Sequence, residues 1–266
     1  MLSGLIVYSR IDKDNNDWFI NSCIERLSKL GLSLTYKDED EVLEYIKSNQ
    51  IDFVIYRSRN YQLLEKLALL GIKCFNNSFT NKIANDKYAT YEFLESNKIP
   101  CLKSNLSFDK LPLPFVMKSR DGHGGKEVYL IHEINEVKAH QIANKKYIFQ
   151  EFYKNDGDLR IYVLGKKVVG AVIRNNPSDF RSNFSLGGEV KAYEPNQEIV
   201  DTATKIAKLL DADYIGVDFL NVDGHWLVNE IEDPVGARML YKASGIDITE
   251  LLATYISASL NNKSSF

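Results

Sequence analysis

Two apolar runs, 213–221 and 225–232, are separated by Asp223-Gly224, and this spacing constrains the chain more than any other feature. Asp-Gly between such runs signals a β-hairpin, so the segment reads as two antiparallel strands. Side chains alternate between the faces of a strand, which puts Glu230 and Glu232 on one face of the second. Register decides whether Asp218 joins them. A two-residue turn sets Asp218 opposite Asn229, facing away from both glutamates. A three-residue loop, Asp223-Gly224-His225, sets it opposite Glu230 and gathers Val217, Phe219, Leu227 and Ile231 on the other face. The expectation is the three-residue loop, with glycine in the left-handed conformation. Three carboxylates on one face repel one another, and the hairpin holds no lysine to neutralise them. Asp218, Glu230 and Glu232 are therefore candidate ligands of a hard divalent cation; surface salt bridging is the alternative.

A second feature lies upstream. Residues 114–118 read as a strand ending in Lys118, followed by Ser119-Arg120-Asp121-Gly122-His123-Gly124-Gly125-Lys126 and the strand 128–131. Glycines let backbone N–H groups approach phosphate oxygens, and a nearby lysine supplies countercharge. Glu127 and a strand follow Gly125-Lys126, so this is not a Walker A loop. By itself the loop reads equally well as a hairpin turn that needs positive φ angles. The strand 147–151 places Glu151 beside Phe152, as a connector bordering a purine ring would, or as a plain link between lobes.

Before residue 76, apolar runs at 5–8, 32–34, 52–56 and 72–75 alternate with helical periodicity, which indicates a small parallel α/β sheet. No Gly-x-Gly-x-x-Gly follows the first run, so a dinucleotide fingerprint is absent. Two helices, 79–84 and 86–97, end at Ile99-Pro100. From Pro114 strands predominate, at 115–118, 128–131, 147–151, 158–164, 167–174, 190–193, 214–220 and 226–231, with helices at 133–143, 196–210 and 247–260. This divides the chain into an N-terminal α/β lobe (1–76), a small central lobe (77–149) and a larger α+β lobe (150–266). A net charge of −3 argues against a general nucleic-acid surface. No apolar run reaches the roughly 20 residues of a membrane span, and Arg10, Asp12 and Lys13 interrupt any signal sequence, so a cytoplasmic location is expected. Cys23, Cys74 and Cys101 show no metal or redox spacing.

The order of these motifs resembles the ATP-grasp superfamily, in particular the ribosomal-protein-S6-modifying (RimK-like) glutamate ligases and the carrier-protein ligases of lysine biosynthesis. Asn85-Asp86-Lys87 through Ile99-Pro100 is similar to that family's "D-K … L … I-P" helix, and residues 114–128 to its lysine strand and glycine loop. Gln150-Glu151-Phe152 with Gly157-Asp158-Leu159-Arg160 resembles its hinge and "D-x-R". Phe180-Arg181-Ser182-Asn183 with Gly187-Gly188 resembles "R-S-N … G-G", and Gly216-Val217-Asp218 with Asn229-Glu230-Ile231-Glu232 its metal strands.

The resemblance implies an ATP-grasp fold with ATP between the central and C-terminal lobes, and a homo-oligomer. It implies that Lys87, Lys118, Gly124 and Gly125 contact phosphates, Glu151 and Phe152 border adenine, and Asp158 meets the ribose side. It also implies that Arg181, Ser182 and Asn183 close on the triphosphate, while Asp218, Glu230 and Glu232 hold Mg2+ or Mn2+. The family usually has asparagine at Glu232, and its "N-x-x-P-G" is here Glu232-Asp233-Pro234-Val235-Gly236-Ala237-Arg238, at the border of the substrate region. The implied reaction joins a carboxylate to an amine through an acyl phosphate. Lys118, Arg160 or Arg174 would offset the developing charge, and the substrates would be an amino acid with a peptide, carrier protein or small molecule. His123 reads as a solvated loop residue. A phosphotransferase and a non-catalytic ATP-binding module are the competing readings.

Overall fold

Leu5-Ile6-Val7-Tyr8 is apolar without a break, as a strand covered on both faces must be. The computed structural model describes residues 1–125, 127–154, 157–175 and 189–261, and the run forms β1 (Ser3–Tyr8). β2 (Ser33–Asp38), β3 (Phe53–Tyr56) and β4 (Lys73–Phe75) complete a parallel sheet in the order β2-β1-β3-β4. Helices α1 (Arg10–Lys13), α2 (Asp17–Lys29), α3 (Val42–Ser48) and α4 (Tyr61–Leu69) connect the strands. Strand alternation sorts the side chains. Leu5, Val7, Val54 and Tyr56 pack with Val42, Leu63, Leu64 and Leu67, while Ile6, Tyr8, Phe53 and Ile55 pack with Phe19, Ile20 and Leu27. The expected parallel α/β sheet is present, with β2 running four residues beyond the apolar run that announced it.

Asn77 caps α5 (Ser78–Ala84), and Asp86 caps α6 (Lys87–Ser96) by accepting from the N–H groups of Tyr88 and Ala89. Both nitrogens of an Arg120 fork also bind Asp86, at 2.9 and 2.5 Å, so this cap ties the helix to the glycine loop. An antiparallel sheet follows, built from β5 (Ser104–Asn105), β6 (Phe115–Ser119), β7 (Val128–Ile131) and β8 (Tyr147–Glu151), with α7 (Ile134–His140) before β8. Its order is β5-β8-β6-β7. Phe115, Met117, Ile131, Val137 and Phe149 give it a small core of its own.

The third sheet, again antiparallel, contains β9 (Asp158–Leu164), β10 (Lys167–Asn175), β11 (Glu189–Ala192), β12 (Tyr214–Val222) and β13 (His225–Glu232), in the order β11-β10-β9-β12-β13. On one face α8 (Gln197–Leu209) buries Ile199, Ala203 and Ile206 against Ile161, Val163, Ile215 and Val217. On the other, Tyr162, Leu164, Val172 and Tyr214 enter the same core as Ile6 and Tyr8 of β1. Two last helices, α9 (Arg238–Ser244) and α10 (Ile248–Asn261), seal that shared core through Leu240, Leu252 and Ile256. α9 was not expected from the sequence, because seven residues between glycines are too few to show a period. Among the described residues no helix is long and apolar enough to cross a membrane.

The β12–β13 hairpin corrects the expected loop. Val222 pairs with His225, so the turn has two residues, with Asp223 (φ 51°) and Gly224 (φ 82°) both left-handed, as a type I′ turn requires. Asp218 nevertheless stands opposite Glu230, because pairing steps from Phe219–Val228 to Asp218–Glu230 and leaves Asn229 as a β-bulge. The bulge does what the longer loop was expected to do. It also puts Val228, rather than Leu227, on the buried face beside Val217, Phe219 and Ile231.

Among the described glycines the tightest fit is at Gly4, where an added Cβ would lie 2.3 Å from the ring of fully buried Phe53. Gly4→Ala should lower unfolding free energy by about 1–3 kcal/mol, the usual range for overpacking, as read from urea denaturation.

Candidate active site

A cavity of about 290 Å3 lies between the sheet of β5–β8 and the β12–β13 hairpin. From above it is walled by the glycine loop, in which Gly124 (φ 65°) and Gly125 (φ 73°) are left-handed, and Ser119 N–H closes the hairpin onto the Glu127 carbonyl at 3.1 Å. Lys126 lies outside the described residues. Lys118, at the end of β6, is buried and donates to the bulged Asn229 Oδ1 at 2.9 Å. Its ammonium is 3.7 Å from Glu230, and that of Lys87 is 3.4 Å from the other oxygen of the same carboxylate. Lys87 also donates to the Gly122 carbonyl at 2.8 Å, so one lysine links α6, the glycine loop and β13.

These charges set each other's protonation. Burial pushes the Lys118 pKa below its ordinary value, and the like charge of Lys87 adds to that while Glu230 opposes it. Burial alone would raise Glu230, but the two lysines outweigh it and hold the carboxyl below the usual range. The hairpin itself holds no lysine, as its sequence shows, and the carboxylates are neutralised from outside it. The cations come from other elements, at sequence separations of 143 and 111 residues for the Lys87–Glu230 and Lys118–Asn229 contacts.

Asp218 is held likewise. Arg160 on β9 forks onto both its oxygens at 2.6 Å, and Arg174 on β10 donates to it at 2.7 Å. Burial raises its pKa, yet the two guanidinium groups bring it down to about 2. Arg160 also reaches Glu232 at 2.7 Å. Asp158, expected against the ribose, is buried and accepts from Arg174 Nε at 2.9 Å. Asp218, Glu230 and Glu232 therefore share a face but are interleaved with cations, and among the described residues no three acidic, His or Cys side chains form a group able to hold a metal ion. Their oxygen chemistry suits a hard divalent cation.

Glu151 and Phe152, at the end of β8, line the same cavity, and Tyr153 Oη donates to Glu151 at 3.0 Å. His123 is exposed at the rim. Arg181, Ser182 and Asn183 lie outside the described residues. Sequence reasoning missed Arg59 and quoted Asn85, Asn229 and Asp233 only as motif members without a role, and all four also line the cavity. Arg59 comes from the N-terminal lobe, and no local motif marks it.

Asp233 anchors the segment after β13. Its carboxylate accepts from Asn76 and Asn81, both at 2.9 Å, and its carbonyl accepts from Asn85 at 2.7 Å. Burial pushes its pKa up to about 6 despite those bonds.

A glycine loop and paired lysines facing a carboxylate hairpin, with the cavity between two antiparallel sheets, are the architecture of the ATP-grasp ligases. The D-alanine–D-alanine ligase of Bacillus anthracis, solved with ATP, matches this fold with a TM-score of 0.78 over 100% of both chains at 18% identity. Residues 84–256 match the RimK-like ATP-grasp domain, and the chain belongs to that family of ATP-dependent carboxylate–amine ligases. An uncharacterized protein, the MG011 homolog of Mycoplasma pneumoniae, is 34% identical over 90% of this chain and 86% of its own length. The glutamate–LysW ligase ArgX of Sulfolobus acidocaldarius is 28% identical over 74% of this chain and 78% of its own. ATP-grasp ligases as a class use ATP and divalent metal ions.

Asp233 gives a pH signature. Its folded pKa lies above the ordinary 3.8, so the folded state binds the extra proton, and this contribution to stability falls as pH rises from 4 to 6 and is level above 6. Asp233→Asn should abolish that component, on the order of 2–3 kcal/mol at 1.36 kcal/mol per pKa unit. The stability difference between wild type and variant, measured by urea denaturation from pH 4 to 7.5, should follow this curve.

Proposed function

We propose that this chain uses ATP with magnesium or manganese to convert a substrate carboxylate into an acyl phosphate, and then passes the acyl group to an amine. The observation that carries this reading is the pair Lys87 and Lys118 set 3.4 and 3.7 Å from Glu230 beneath the glycine loop. The two ammonium groups take up phosphate charge, and backbone N–H groups at Gly124 and Gly125 approach phosphate oxygens without steric obstruction. Glu151 and Phe152 border the adenine.

Glu230, with Asp218 and Glu232, would hold the divalent cation, which when bound would supply neutralisation of phosphate charge. Arg160 and Arg174 offset negative charge that builds on the transferring phosphoryl group, and their forks on Asp218 and Asp158 fix them in place beforehand. Asp158 acts by positioning Arg174. No protein nucleophile is required, because the substrate carboxylate attacks the γ-phosphorus and expels ADP, and the amine then attacks the acyl carbon, expelling phosphate and losing a proton. Relatives named for glutamate support an amino acid as one substrate, with a peptide, carrier protein or small molecule as the other.

ADP release should require a carboxylate and an amine together, whereas a phosphotransferase would form ADP with a single acceptor. Glu230→Gln removes a charge that binds the cation and balances both lysines. It should lower kcat/KM for ATP at least about 100-fold, the scale of an electrostatic catalytic contact, while the circular dichroism spectrum stays unchanged. Wild-type turnover in this variant would refute the assignment.

A further inference from the structure

Six lysines and arginines line the cavity among the described residues, and five of them are committed to acidic partners. Lys87 and Lys118 face Glu230, Arg160 holds Asp218 and Glu232, Arg174 holds Asp158 and Asp218, and Arg59 holds Asp12 at 2.5 Å. Arg238 is the exception. Its exposed side chain has no ion pair or hydrogen bond among the described residues.

The backbone that carries Arg238 is held firmly. Upstream, Asp233 is fixed by Asn76, Asn81 and Asn85, and buried Arg57 donates to the Val235 carbonyl at 2.5 Å. Downstream, Met239 and Leu240 are buried in the core shared by the first and third sheets. Asp233, the nearest acidic residue in sequence, is buried and bound to asparagines, so it does not compensate the guanidinium. The result is a positive charge presented to the cavity from an anchored stem, and it stands on the segment where this chain departs from the "N-x-x-P-G" pattern.

We propose that Arg238 binds a substrate carboxylate other than the one that is phosphorylated, so that one of the two substrates carries a spectator carboxylate. This rests on the ligase reading above. A guanidinium fork engages both oxygens of a carboxylate and occupies lone pairs that attack on phosphorus would use, which disfavours that carboxylate as the nucleophile. Phosphate charge is met by Lys87 and Lys118. The spectator carboxylate belongs either to the amine substrate, as in an amino acid with a free α-carboxylate, or to the acyl substrate, as in a dicarboxylate.

The test uses the full chain as wild type, Arg238→Ala and Arg238→Lys, with ATP and magnesium, and ADP release as the readout. In the amine arm, L-glutamate is compared with its α-carboxamide; in the acyl arm, a dicarboxylate is compared with its monoamide. In one arm, Arg238→Ala should raise KM for the free acid about 10- to 100-fold, the worth of a charge-assisted hydrogen bond. The amide in that arm should be insensitive, KM for ATP should stay at its wild-type value, and Arg238→Lys should recover part of the loss. Equal KM values in all variants, equal losses on acid and amide, or a shift confined to ATP would overturn the proposal. Calorimetric titration of L-glutamate and of the dicarboxylate in the presence of a non-hydrolysable ATP analogue separates the two readings. Binding lost in Arg238→Ala without ADP release from wild type would keep the carboxylate subsite and reject the ligase reading. Neither binding nor ADP release would reject both.

Discussion

The Arg160–Asp218 fork is the interaction on which the site depends. Both side chains are less than a tenth exposed, and charges that deep persist only when each meets an opposite charge in good geometry. Arg174, Asp158 and Glu232 complete the balance across β9, β10, β12 and β13. Deleting one member would leave its partner buried and unpaired, at a cost of about 3–5 kcal/mol. The network is therefore a structural necessity of placing polar chemistry directly over a hydrophobic sheet face, whatever its part in phosphoryl transfer. It also explains how carboxylates that would repel one another coexist before any cation arrives.

Much of the fold was legible because it is written in local periods. The alternation of short apolar runs with helical periodicity announced the parallel α/β sheet, and Asp223-Gly224 announced the hairpin. The pairing of Asp218 with Glu230 was reached, but by the wrong device. Turn length can be argued from residue types, whereas a bulge at Asn229 depends on what packs beneath Val228 and on the Lys118 bond across the cavity. The basic residues around Glu230 were recognised only as motif members, because a contact between residues more than a hundred positions apart leaves no local pattern. Arg59 was missed for the same reason and α9 because it is too short to show a period, and the expected triphosphate residues Arg181, Ser182 and Asn183 fall outside the described residues.

The three sheets are joined unequally. The first and third share one core, sealed by α10 packing back onto α2, so the chain's two ends close the same body. The asparagines 76, 81 and 85 add a polar seam that holds the Asp233 turn against both. Such a seam resists sliding, because each buried amide has a specific partner to lose. The segment that borders the substrate cavity thus takes its rigidity from the N-terminal lobe, although the nucleotide motifs all lie beyond it.

The sheet of β5–β8 is different, since its apolar residues form a cluster apart from the other two. Among the described residues its ties to the other elements include the Arg120–Asp86, Lys87–Gly122, Lys118–Asn229 and Lys118–Glu230 contacts, together with the short Cys101–Val228 bridge. Swinging it outward exposes little hydrocarbon to water, and the polar bonds it breaks can be remade to solvent at small net cost. On the proposed reading, entry of a nucleotide would be an exchange of like for like, in which phosphate oxygens would take the lysine contacts now made by a backbone carbonyl, an amide and a carboxylate.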